Sequence, residues 1–94
     1  MEFIKIPQNR YIQLEESELL RLGYKLPSKV YFDFAEGINP CFKLTKLTEK
    51  RGEVSFGPVK ITEGGCLQIP SDLKLFTLYA VRYFDKEFEI FLAK

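Results

Sequence analysis

The chain is 94 residues long, 46% hydrophobic, and its 14 basic and 13 acidic side chains leave a net charge of +1. That length fits a single domain spanning 1–94, and the apolar content excludes a disordered chain. The even charge excludes a global field that would draw in nucleic acid, leaving only local patches to do so.

No apolar run approaches the roughly 18 residues of a membrane span, and the acidic start resembles no secretory signal. No membrane partner is therefore expected, and the cytoplasm is the expected location. Cys41 and Cys66 lack metal-ligand spacing, and each sits in an apolar strand context that favours a buried, reduced thiol.

Taken in order, Glu2 to Ile6 alternates as a strand, Pro7-Gln8-Asn9 turns the chain, and Tyr11 to Leu14 resumes the strand. Ser17 is placed to cap a short helix through Leu22, with Glu15, Glu16 and Glu18 near its positive end. Leu19, Leu20 and Leu22 form its expected buried face, Arg21 points outward, and Gly23 suits the C-terminal stop. Val30 to Ala35 and Phe42 to Thr45 alternate as strands around a turn at Glu36 to Pro40. The polar stretch Thr48 to Gly52 reads as a joint between halves.

Beyond the joint, a short strand near Val54 to Phe56 ends at Gly57-Pro58, and Val59 to Thr62 follows as another. Glu63-Gly64-Gly65 is a tight turn into Cys66 to Ile69, and Pro70-Ser71-Asp72 opens a single helical turn. Leu78 to Phe84 and the Phe88, Ile90, Leu92 alternation close the chain as a hairpin over Asp85-Lys86. The expected core is Leu14, Leu19, Phe32, Phe42, Ile69, Leu73, Val81, Phe88 and Ile90.

Two of these stretches match. Ile4 to Leu14 reads IKIPQNRYIQL and Val59 to Ile69 reads VKITEGGCLQI, with Lys5/Lys60, Ile6/Ile61 and Gln13/Gln68 identical. A repeat of this kind predicts two β-β-α-β-β units, about 1–47 and 54–94, each burying the other's apolar face. The expected fold is all-β with two short helices, a small barrel of pseudo-twofold symmetry. It would be a monomeric pseudo-dimer or a homodimer.

The segments GGCLQIPSDLKLF and NRYIQLEESELLRLGYKLPSKVYFDF resemble the hairpin-helix unit of the AbrB/MazE/SpoVT swapped-hairpin proteins, whose MraZ-like members carry two units in one chain. The resemblance implies an interlocked cradle-loop barrel that binds duplex DNA as a transcription regulator or antitoxin. In that family the DNA-contacting basic residues lie in the first hairpin and around the helix. This maps the role onto Lys5, Arg10, Arg21 and Lys60.

Catalytic chemistry is poorly provided for. The chain contains no His, which removes the commonest general base, the Ser-His and Cys-His pairs and most transition-metal sites. Gly64-Gly65 lacks the Lys and helix of a phosphate loop. The expectation is a non-enzymatic binding module with no cofactor and no metal. Near-neutral charge favours a rival to DNA: a protein-binding inhibitor or adaptor using an aromatic or edge-strand surface. Tyr31, Tyr79 and Tyr83 would carry it, since tyrosine is favoured at interfaces.

Overall fold

Alternating apolar residues become eight antiparallel strands in a computed structural model describing residues 2–35 and 40–94. They are β1 (Ile4–Lys5), β2 (Tyr11–Gln13), β3 (Ser28–Ala35), β4 (Cys41–Lys46), β5 (Ser55–Ile61), β6 (Cys66–Gln68), β7 (Leu78–Tyr83) and β8 (Phe88–Ala93). A helix, α1 (Glu16–Arg21), follows β2, and a 3-10 turn (Ser71–Leu73) follows β6. The strands form one sheet in the order β1-β7-β8-β4-β3-β5-β6-β2. The sheet curls into a half-barrel whose two end strands are neighbours in sequence. The turn expected at 36–39 lies outside the described residues.

Several local expectations are corrected. Among the described residues there is one α-helix, not two, because the second element closes only a 3-10 turn. Helix α1 is not capped by Ser17: the carbonyl of Glu15 accepts the amides of Glu18 and Leu19, so Ser17 falls inside the first turn. So short a helix turns one side inward, burying Leu19 while Leu20 stays 58% exposed. Its end follows the expected pattern. Gly23 has φ 86°, its amide donates to Leu20, and the Tyr24 amide reaches back to Leu19. The two strands expected on either side of Gly57-Pro58 are one continuous strand, β5. Its register against β3 shifts between Val30 and Phe32, and Gly57, at φ 112°, absorbs the irregularity without a side chain to clash.

The core fills the curl. Leu14, Leu19, Phe32, Phe42, Ile69, Leu73, Phe88 and Ile90 are buried as expected, while Val81 is only half-buried. Phe42 packs against Phe32, Phe34 and Phe56, and Phe88 against Tyr24 and Tyr83, so each half of the sheet has an aromatic centre.

Where β2 meets β6, Ile12 faces Leu67, with Tyr11 opposite Gln68 and Gln13 opposite Cys66. The Gln13 side-chain amide donates to the carbonyl of Gly64 (2.6 Å), and that of Gln68 donates to the carbonyl of Asn9 (3.2 Å). Each hairpin's glutamine therefore holds the other hairpin's turn. The turns themselves share a geometry. Arg10 (φ 67°) and Gly65 (φ 85°) both adopt the left-handed region, and their amides close onto Pro7 and Thr62. The Thr62 amide adds a bond to the Cys66 carbonyl; Pro7 has no N–H with which to do the same, and β1 forms no ladder with β2.

On the outer side of the sheet the segment after β4 covers a polar cluster. Asp33 is 8% exposed and accepts hydrogen bonds from the Thr45 hydroxyl and the Gly52 amide. Burial pushes its carboxyl pKa up, but those donors and the charge of Lys43 outweigh it and hold it below the ordinary value. The stabilisation from this carboxylate is thus present above the unfolded aspartate pKa of about 4 and is lost as pH falls through the folded value. Urea unfolding between neutral and strongly acidic pH should show a drop that Asp33→Asn flattens. An acid limb unchanged by that substitution would exclude the role.

Candidate functional site

Backbone polarity locates an open edge on β7. The Phe84 amide donates to Glu87, and Arg82 and Ala80 stand opposite Glu89 and Phe91. Antiparallel pairs alternate between bonded and non-bonded, so the even-numbered residues of β7 turn their backbone groups toward β8. Tyr79, Val81 and Tyr83 turn theirs away. Tyr79 meets Ile4 of β1 there, whereas Val81 and Tyr83 have no backbone partner on that side among the described residues.

The opposite flank of the barrel is different. There β5 runs on past its turn, so that Phe32 pairs with Phe56, Asp33 with Ser55, and the Phe34 amide donates to Val54 (2.9 Å).

The unclaimed edge opens into a cleft of about 310 Å³ lined by Ile4, Tyr79, Val81 and Tyr83 with Glu2, Gln13 and Glu15 at its rim. One end is closed by β1. At the other the Tyr83 hydroxyl accepts the Glu15 amide (2.7 Å), and its ring stacks on Phe88. Burial pushes the Tyr83 hydroxyl pKa up, so this group stays neutral and fixes the cleft's far wall. Two of the three tyrosines singled out from the sequence, Tyr79 and Tyr83, thus line one cleft. Tyr31 lies apart on β3, with the Arg51 guanidinium 4.4 Å from its ring centre.

The basic residues are dispersed. Lys5 is exposed on β1 and shares a shallow cleft with Arg10 and Thr77. The Arg10 guanidinium is occupied: Nη1 donates to the Phe76 carbonyl (2.7 Å) and Nη2 to the Leu73 carbonyl (2.9 Å). Arg21 does not simply point outward. It donates to the carbonyls of Phe84 and Asp85 and pairs with Glu18, tying α1 to the β7–β8 turn. Lys60 is exposed on β5, directly opposite Lys29 of β3 and beside Leu47.

Both cysteine thiols are engaged in hydrogen bonds. The Cys41 thiol donates to the Glu89 carboxylate, and burial together with that carboxylate pushes its pKa up to about 12, far from a nucleophilic thiolate. Cys66 is a free thiol bonded to Gln13. Among the described residues no group of three or more Cys, Asp or Glu side chains is arranged to hold a metal ion. No helix among them is long and apolar enough to cross a membrane.

Sequence reasoning selected Tyr79 and Tyr83 by residue type but missed Val81 and the cleft's acidic rim. A signal for the edge did exist. Val54 to Phe56 reads as a strand ahead of Val59, and β5 takes in its Ser55 and Phe56, so that this strand reaches further along β3 than β1 does along β7. No family model matches the chain, and no curated protein and no solved structure matches it.

Proposed function

We propose that this chain is a non-catalytic protein-binding module that takes up an extended segment of its partner along β7. The observation that carries the reading is the pair of outward-turned backbone groups at Val81 and Tyr83, set in a cleft floored by tyrosine and valine. An unpaired edge recruits another strand through main-chain hydrogen bonds, and pockets beside it supply selectivity. Proline is tolerated at an edge position whose N–H faces solvent, so Val81→Pro should preserve the fold while removing one docking donor. Partner capture by the native chain should be lost in this variant, with hydrogen exchange at Val81 and Tyr83 slowing only in the complex. Capture by Val81→Pro at native strength, or exchange at these amides unchanged by partner, would refute it.

We also infer that the two halves are copies of one β-β-α-β-β unit. Registers support this. Pairing Ile4 with Val59 makes Tyr79 the counterpart of Val30, and the β3–β4 and β7–β8 registers then make Phe42 the counterpart of Phe88 and Leu44 that of Ile90. The reciprocal glutamine bonds and the matching turns at Arg10 and Gly65 obey the same exchange.

Duplex DNA is the second reading, favoured by Lys29 and Lys60. Like charges directly opposite on a ladder oppose pairing, and neither lysine forms a salt bridge among the described residues. Phosphate would relieve that repulsion. A gel shift against mixed duplex fragments should then appear at low salt, weaken steeply as salt rises, and vanish in Lys29→Glu/Lys60→Glu. Absence of any shift at low salt discards this reading.

A further inference from the structure

Resting on the edge-docking reading, we propose that the β7 cleft selects a strand of basic-apolar character: an extended segment, antiparallel to β7, with an apolar centre and a Lys or Arg toward each end.

The direction follows from the sheet, in which every ladder is antiparallel, and from β3, whose corresponding edge is covered by the antiparallel residues Ser55 and Phe56 of β5. That flank also shows what the centre of the segment must supply. Phe56 stands opposite Phe32, and its ring reaches Phe42 at 6.1 Å. On the open flank the Ile4–Tyr79 register brings Glu2 level with Val81, yet no backbone bond joins the two among the described residues, and Val81 is the expected core residue left half-buried. An apolar side chain placed against Val81 would complete its burial, and the next residue along would turn to the other face of the sheet.

Charge fixes the ends. The cleft's lining includes two carboxylates, Glu2 and Glu15, and no Lys or Arg. They are spaced along the strand, Glu15 beside Tyr83 and Glu2 nearer the β1 side. An antiparallel segment would therefore meet Glu15 with its N-terminal part and Glu2 with its C-terminal part. The same rim argues against a second copy of this chain as the occupant. Pairing β7 with β7 would bring the Glu2 and Glu15 carboxylates of both copies to one seam, and like charges facing one another select against the wrong partner.

The test uses the full chain, labelled for amide detection, and two end-blocked heptapeptides: Arg-Thr-Val-Thr-Val-Thr-Arg and its counterpart with Glu at both ends. The arginine peptide should move the amide signals of Val81 and Tyr83 and bind at least about tenfold more tightly than the glutamate peptide. Such a ratio corresponds to about 1.4 kcal/mol. Glu15→Lys with Glu2→Lys should invert that preference, and the Glu15 amide that holds Tyr83 is backbone and survives the change. A glutamate peptide that binds β7 as well as the arginine peptide overturns the basic partner while leaving edge docking intact. If neither peptide moves these two amides at millimolar concentration, both readings fall.

Discussion

Phe88→Ala should destabilise the protein by about 3–5 kcal/mol, the range for removing a large aromatic from a closed core. Phe88 is fully buried, with Tyr24 edge-on at 5.8 Å and Tyr83 stacked at 5.7 Å. The void would therefore be lined by two rings held from elsewhere, Tyr83 by the Glu15 amide and Tyr24 by its place after α1 and the Lys46 ammonium over its face. Rings so fixed collapse poorly into a cavity, which places the cost toward the upper end. A small domain has about 5–15 kcal/mol in total, so the variant should unfold at much lower denaturant. A loss below about 1 kcal/mol in chemical denaturation would show that the site relaxes freely and that the aromatic centre of this half is not as described.

Arg10→Glu should have a comparable effect for a different reason. Two charge-assisted bonds from the guanidinium hold the carbonyls of Leu73 and Phe76, and the Arg10 carbonyl itself accepts the Ile69 amide. Hydrogen bonds from a charged group contribute about 1.5–3 kcal/mol each, and a carboxylate in the same place would face two carbonyl oxygens instead of pairing with them. The expected loss is at least about 3 kcal/mol, seen as a lowered melting temperature with no ligand present. Arg10→Gly separates the two contributions. Glycine relieves the left-handed backbone at this position, worth roughly 1 kcal/mol, so it should be destabilised less than Arg10→Ala. An Arg10→Glu protein as stable as the parent would return Arg10 to the pool of free surface cations.

The fold was largely legible because strand alternation and turn residues are local. Phe32, Phe42, Phe88 and Ile90 declare themselves by period two, and Gly23 and Gly65 by the turns around them. Departures arise where long-range contacts decide. Arg10 and Arg21 look like solvent-facing cations in sequence, yet each finds backbone carbonyls supplied by residues more than sixty positions away. Val81 alternates as a core residue, and its exposure depends on how far β1 extends beside β7, which no pattern within β7 encodes. The continuous β5 across Gly57-Pro58 was hidden by punctuation that normally ends strands but here accommodates a shift in register.

Those distant partners also bear on how the chain acquires its shape during synthesis. The first hairpin has almost no neighbours of its own: β1 lies against β7, β2 against β6, and Arg10 spans 66 positions to reach Phe76. Closing loops of that length costs entropy before any contact repays it, and chains dominated by such separations fold slowly. Within this sequence β2 must therefore wait for β6, and β1 for β7, to emerge before either can settle. Folding should be all-or-none and late, with the earliest-made hairpin among the last to settle.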